Sequence, residues 1–469
     1  MSAQTDLFIH NAEVNGVAGM DVLIQGGCIV AIEAKLARPQ GVEALDAEGG
    51  ALLPGLKDHH LHLAATAVAR NSIACGPDDW PDAGAFATGL QQFAQTQDQE
   101  WLRGIGYHES LAGDIDAAWL DQVLPDQPVR IQHRGGRQWV LNSAAMRWLQ
   151  VGDDDPLQRE NGQLTGRLIE GDQWLQKRMR ALGRGGFPCL GRLSRELASY
   201  GITGVTDTSP DNNLQSLRHF EQAQENGELL QSLQLMGDAS LDGQQSQSAA
   251  IRVGARKFHL LESALPDWDQ LVQMIAASHA VARNVAFHCV SRTELVFALS
   301  ALEQAGVLPG DRIEHASVTP PEALAKIQSL GLIVVTQPAL LAERGDQYLA
   351  EVDADDQLWL YRLNAFLRAD VPLAGSSDAP YTALNPWKAM QAAVDRKTRR
   401  GATLAAQEAL TPEQALDLYS SPLENPGSPQ RRLHTGSQVD CCLLSQPWHT
   451  ARSQLGEVQP RLCLAAGRL

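Results

Sequence analysis

Between residues 129 and 375 short apolar runs alternate with stretches of helical spacing, a pattern that restricts the chain to βα units around a parallel sheet. The clearest strand runs are 129–132, 204–207, 255–258, 285–288, 312–315, 332–335 and 371–375, and the clearest helices 268–283, 321–330, 386–399 and 412–420. Thr411 before Pro412 is a good N-cap with proline at the first helical position. Residues 150–200 are rich in Gly, Arg and Gln and read as loops and short helices inserted in the barrel. The two ends differ from the middle. Residues 8–14, 21–24, 28–32, 439–444 and 461–465 are strand-like and separated by glycine turns, so one small β domain built from both termini is expected. A chain of 469 residues suggests two or three domains, but a single (β/α)₈ unit absorbs about 250 residues or more.

Several strands end in a residue able to bind metal. His60 and His62 follow the apolar run 51–54 in GLKDHHLHL, and Lys257, His288, His315 and Asp378 close later runs. In a parallel barrel the C-terminal strand ends share one pocket, and alternate residues such as His60 and His62 share a face. Each residue also has a structural reading. His288 is a satisfied core histidine, His315 pairs with its neighbour Glu314, and Asp378 caps the next helix. The ordered recurrence at strand ends favours the metal.

Lys257 adds chemistry. The chain has 7 lysines among 38 basic residues, so arginine is its usual cation. A lysine inside an apolar strand is costly as a free ammonium; neutral, it reacts with carbon dioxide to form an anionic carbamate, which arginine does not. The structural alternative is a lysine that snorkels or pairs with an acid such as Asp207.

The net charge of −17 argues against nucleic acid or anionic membrane as a partner and leaves a small-molecule substrate. No run approaches the roughly 20 apolar residues of a membrane span, and no basic stretch followed by an apolar one appears in residues 1–14, so no signal peptide is expected. Seven scattered cysteines without a CxxC pair suit reduced thiols and a cytoplasmic location, with Cys441 and Cys442 as small core residues. Homo-oligomers remain open.

These residues match a family. Residues 54–62, PGLKDHHLH, resemble the strand-1 signature of the amidohydrolase superfamily, and later segments resemble its amidohydrolase-3 branch of N-substituted formamide deformylase-like and D-aminoacylase-like hydrolases. Those segments are 161–170 (NGQLTGRLIE), 311–316 (DRIEHA), 334–338 (VVTQP) and 375–380 (GSSDAP). The resemblance spans nearly the whole chain. It implies a distorted (β/α)₈ barrel over 54–430, with an insertion around 63–200, and a β-sandwich from 1–53 and 431–469. It also implies that His60, His62 and Asp378 hold a buried metal, and that carboxylated Lys257 bridges to a second held by His288 and His315. Zinc is the default; manganese, iron and cobalt suit the same ligands. Asp378 is then the general base and acid of a C–N hydrolase, while an ester, lactone or cyclic-imide hydrolase would use the same site. Deaminases of the superfamily usually carry an acid three residues after the strand-5 histidine, where this chain has Ser291. A barrel kept only as a scaffold would have lost ligands, and none is missing.

The chain departs from the branch at two places. Arg137 stands where a Gly-His pair usually precedes Asn-Ser, and Gly106-Tyr107-His108-Glu109 occupies a variable segment. Arg137 follows the 129–133 run, whose end is expected to open on the pocket, and Gly135-Gly136 allow close backbone approach. An arginine fork holds a carboxylate through two hydrogen bonds, so Arg137, with Tyr107 and His108, is expected to bind a substrate such as an N-acyl amino acid.

Overall fold

A computed structural model describes residues 6–465 except 78, 97–100, 136–137, 183–186 and 430–431. The chain divides into two compact units, Ala64–Cys189 and the remainder.

In the larger unit eight parallel strands follow one another in sequence order: Leu56–Leu61, Ile202–Asp207, Ser232–Gly237, Ile251–His259, Val285–Cys289, Arg312–His315, Ile333–Thr336 and Leu373–Gly375. Their buried, β-branched and Leu-rich sequences suit a sheet covered on both faces. The last strand meets the first beyond the ladder, where Asp378 N–H donates to His60 O (2.8 Å) and His62 N–H to Ala379 O (2.9 Å). This closes the barrel at its C-terminal end. The intervening helices start where local chemistry satisfies their first amides: Asn213 with Ser216, Ser291 with Glu294 and Thr411 with Gln414 form capping boxes, and Asn385 caps the helix that Pro386 opens.

Both termini build one seven-stranded sheet. Ala51–Pro54 pairs with Leu7–Val14 on one edge and Cys441–Leu444 on the other, and Cys441–Leu444 pairs with Pro460–Leu464. Ile9, Val22, Ile24, Ile29, Val439 and Leu443 form its solvent-free core. Gly55 carries the chain from this sheet into the barrel. A Cβ there would lie 2.2 Å from Asp440 Oδ1 and 2.2 Å from Thr203 Oγ1, so no other residue fits. Next to it buried Lys57 donates to Thr203 Oγ1 and Asp440 Oδ2, both at 2.6 Å, tying the first barrel strand to the C-terminal segment.

The insertion Ala64–Cys189 has its own six-stranded sheet and a core that includes Phe86, Leu90, Tyr107, Leu120 and Ile131. Two expectations are corrected here. Val129–His133 pairs with Leu102–Tyr107 and Gln138–Leu141, so it is a strand of the insertion and its end is not one of the barrel's strand ends. An apolar run announces a strand but not its partner. Residues 150–200 hold a hairpin, Leu157–Glu160 with Gln163–Ile169, as well as helices. Its strands are largely polar, but Asn161-Gly162, both at positive φ (51° and 77°), is the two-residue turn that marks it. Among the described residues no helix is long and apolar enough to cross a membrane.

Candidate metal centre

Strand Leu56–Leu61 is buried throughout. Because strand side chains alternate, Asp58 and His60 face one side, and His62 follows just beyond the strand. His60 Nε2 and His62 Nε2 both lie 3.3 Å from Asp378 Oδ1. The His315 ring is 4.8 Å from that of His60 and 4.4 Å from that of His288. Ligand atoms of His60, His315 and Asp378 fall within 4.8 Å of one another.

The outer nitrogens of three histidines are already engaged. His60 Nδ1 is 2.5 Å from Glu314 Oε2, His315 Nδ1 is 2.7 Å from Gln337 Oε1, and His62 Nδ1 is 3.0 Å from Ser209 Oγ. For His315 a chain of bonds fixes the tautomer. Ser376 O–H donates to Thr336 O (3.1 Å), so Gln337 Nε2 donates to Ser376 Oγ (3.0 Å) and Gln337 Oε1 is left to accept from Nδ1–H. A carboxylate holds Nδ1–H of His60. His315 therefore presents an Nε2 lone pair to the centre, whereas His60, raised by Glu314 and Asp378 against burial, turns its Nε2–H to the Asp378 carboxylate and offers a lone pair once a cation takes the place of that proton.

Two buried atoms of these candidate ligands have no hydrogen-bond partner among the described residues, His315 Nε2 and Lys257 Nζ. Polar atoms in such a place are costly unless something binds them. Burial, the charge of Arg312 adding to it, pushes the Lys257 ammonium down to about 8, and burial with His60 nearby lowers His315 to about 3. Burial, together with His315 and Lys257, lowers His288 as well. Burial alone would raise Asp378, but hydrogen bonds from His60 and His62 outweigh it and hold the carboxyl well below its usual range. Neutral imidazoles, a readily neutralised amine and a fixed carboxylate make up the donor set of a divalent-metal site.

The structure thus brings His60, His62, Lys257, His288, His315 and Asp378 to one end of the barrel, and it separates them from their structural alternatives. Asp207 accepts from Leu63 N–H, Ser209 N–H and Asn212 Nδ2, not from Lys257. The next helix is capped by Asn385, not Asp378. Glu314 does not serve His315; it reaches across to His60 and accepts from Arg312 Nε at 2.5 Å. Ser291, at the position of the deaminase acid, caps the helix Arg292–Ala305.

Sequence reasoning passed over Glu314, Gln337, Asp58 and His259. Asp58 accepts from the amides of His60 (3.2 Å) and Ser377 (3.1 Å), and burial raises its carboxyl to about 6. His259, two residues after Lys257 on the same strand face, is exposed and lies 4.4 Å from the His288 ring. For Asp58 and His259 the two-residue spacing from a ligand was the available signal.

The expected substrate contacts lie in the insertion. Tyr107 is in its core, stacked on Phe86, and its hydroxyl donates to Gly113 O at 2.5 Å; His108 caps Glu109–Ala112. Arg137 lies outside the described residues. His108, Glu109 and His133 form a second cluster of metal-capable groups. There Nδ1 of each histidine accepts a backbone N–H, from Ser110 and Gly135, so each Nε2 carries its proton towards Glu109 and offers no lone pair.

A parallel barrel with this donor set at its C-terminal strand ends defines a metal-dependent hydrolase. The amidohydrolase family model matches residues 43–422, and the chain belongs to that family and is a hydrolase acting on C–N bonds. It is 24% identical to an N-substituted formamide deformylase of Arthrobacter pascens, over 98% of this chain and 97% of the relative. It resembles the crystal structure of an uncharacterized metal-dependent hydrolase from Pyrococcus horikoshii with a TM-score of 0.75, at 18% identity, over 97% of this chain and 99% of the other. N-isopropylammelide isopropylaminohydrolase of Burkholderia multivorans shares the fold with a TM-score of 0.54, at 16% identity, over 99% and 97% of the two chains.

Proposed function

We propose that the protein hydrolyses an amide-type C–N bond of a small molecule at a centre of two divalent ions, zinc by default. His60, His62 and Asp378 would hold one ion, His288 and His315 the other, and carboxylated Lys257 would bridge them. The observation that carries this reading is the pair of buried, partnerless atoms, Lys257 Nζ and His315 Nε2, beside Asp378. A bound divalent ion brings the pKa of a coordinated water towards neutrality and polarises a carbonyl. Asp378 remains ionised and touches both His60 and His62, so it is placed to take a proton from the attacking water and return it to the leaving amine. Glu314 and Gln337 hold Nδ1 of His60 and His315, so that each ring turns its Nε2 towards the centre.

The likeness to the N-substituted formamide deformylase of Arthrobacter pascens supports an N-substituted amide as substrate. A carboxylate on that substrate, as in an N-acyl amino acid, rests on Arg137 alone. The test is metal content by mass spectrometry, followed by a screen of formamides, N-acyl amino acids, ureas, esters and lactones on zinc- and manganese-loaded protein. Two metal equivalents and C–N turnover support the reading; a metal-free active protein overturns it. Arg137→Ala should lower kcat/KM on carboxylate-bearing substrates by about 30-fold or more and leave neutral analogues unchanged.

A further inference from the structure

A groove of about 900 Å³, within the range of small-molecule pockets, lies near the candidate metal ligands: Tyr348 and Tyr361 line it, and both feel the charge of Asp378. Val290 lines it two residues after His288, and Ser317 two residues after His315. One wall carries Trp268, Val296 and Phe297, with the Trp268 ring edge-on to Phe297 at 5.3 Å. Trp268, Val290 and Val296 are 37%, 43% and 54% exposed, three large apolar side chains open to water along one face. Tyr348, Val352 and Leu360 face them.

The groove is preformed. Tyr361 N–H donates to Ser317 O (2.8 Å) and Thr319 N–H to Trp359 O (3.1 Å), pinning the segment that bears Leu360. Behind it the buried Arg396 guanidinium donates to Leu360 O (3.0 Å) and Tyr361 O (2.8 Å). The charge around this apolar floor is net negative. Glu262, Glu351, Asp353 and Asp356 line it, and the basic residue among the described lining residues, Arg292, is engaged by Asp356 (3.0 Å) and stacked on Trp359 (5.4 Å).

We propose that this groove binds the part of the substrate remote from the scissile bond, that this part is an aryl or alkyl group without negative charge, and that the acidic rim excludes a carboxylate there. Burial of the group against Trp268, Val296 and Phe297 supplies the attraction. Glu262, Glu351 and Asp353, which Arg292 does not engage, repel an anion and accept an amine at the far end. The word substrate rests on the hydrolase reading; the groove's selectivity does not.

Calorimetric titration of the zinc-loaded full chain with 4-phenylbutan-1-ol, 4-phenylbutylamine and 4-phenylbutyrate tests it. The alcohol and amine should bind, and the carboxylate at least about tenfold more weakly. Val296→Asp, at an exposed position, should weaken the alcohol by about tenfold or more with unchanged metal content and circular dichroism, and Ser300→Trp should do the same by filling the groove. Asp353→Asn with Glu351→Gln should narrow the gap between amine and carboxylate. Equal binding of all three probes, or indifference of both groove variants, overturns the proposal. So does a change of sedimentation in Val296→Asp without loss of probe binding, which would make the face a subunit interface. If probes bind and Val296→Asp abolishes binding while no amide is hydrolysed by any metal-loaded preparation, the groove stands and the hydrolase reading fails. If amides are hydrolysed and the probes neither bind nor inhibit, the groove proposal fails alone.

Discussion

The backbone amide of Asp378 donates to the carbonyl of His60 at 2.8 Å, and the carboxylate of Asp378 stands 3.3 Å from Nε2 of the same histidine. One pair of residues closes the barrel and builds the candidate metal site. Asp378 holds φ at +57°, a conformation that Asp and Asn tolerate better than other side chains with a Cβ. Asp378→Asn therefore keeps the backbone bond and the fold while removing the proton acceptor. Its kcat should fall by about 10²–10⁴, with the melting temperature of the metal-free protein nearly unchanged. Asp378→Ala should lose the same activity and in addition about 1–2 kcal/mol of stability. Kinetics beside thermal melts separate the two. An Asn variant with normal turnover removes Asp378 from the proton pathway.

Lys257 places a cost on the metal-free protein. In the folded state burial lowers its pKa to about 8 from 10.5, so between those values the unfolded chain binds more protons than the folded one. Stability from this group therefore rises with pH across that window, and below about pH 8 the full penalty, about 3 kcal/mol, is present. Lys257→Met removes it. Metal-free Lys257→Met should be more stable than wild type at pH 7 by roughly that amount, with the gap closing as pH rises to about 10.5, while its metal content falls by at least one ion. Denaturant melts at pH 7, 9 and 10.5 check the sign; a gap that widens with pH would defeat the account.

Much of this candidate centre was legible because its candidate ligands sit at strand ends, where local order in the sequence is also order in space. HLH, Lys257, His288, RIEH and GSSD each announce a strand and a ligand together. The groups that orient the ligands were not legible. Glu314 lies 254 residues from the ring it holds, and only barrel closure brings the two together. Gln337 lies in the next strand connection and has no feature that marks it as the partner of His315. Periodicity likewise reported Val129–His133 as a strand but contained nothing about which sheet would take it.

Gly55 gives a test of the link between terminal sheet and barrel. Gly55→Ala places a methyl 2.2 Å from both Asp440 Oδ1 and Thr203 Oγ1, so the Lys57 cluster must move. Overpacking of this kind costs about 1–3 kcal/mol, to which displacement of a buried lysine from its carboxylate adds. Gly16→Ala, at φ +81° with nothing within 4 Å, bears only the backbone strain of about 1–2 kcal/mol. Thermal melts should rank Gly55→Ala clearly below Gly16→Ala; the reverse order would mean the junction relaxes freely.

The last contrast concerns the two groups that hold the ligand histidines. Glu314 is a buried carboxylate kept ionised against burial chiefly by Arg312, with Lys257 and His60 contributing, whereas Gln337 is neutral and linked to the hydroxyl of Ser376. Loss of either frees an imidazole to rotate or change tautomer, and metal affinity should fall by about 10–100-fold in both Glu314→Gln and Gln337→Leu. Stability should separate them. Glu314→Gln leaves the Arg312 guanidinium buried without its counter-charge, which costs about 3–5 kcal/mol, while Gln337→Leu leaves one donor on His315 unmet, about 1–3 kcal/mol. Arg312→Met combined with Glu314→Leu removes both charges. It should recover part of the lost stability, although His59 O loses the bond it accepts from Arg312 (2.9 Å), and it should recover none of the metal affinity. Metal titrations and melts of the three variants check this. If the double variant regains metal binding, Glu314 serves only to neutralise Arg312 and does not position His60.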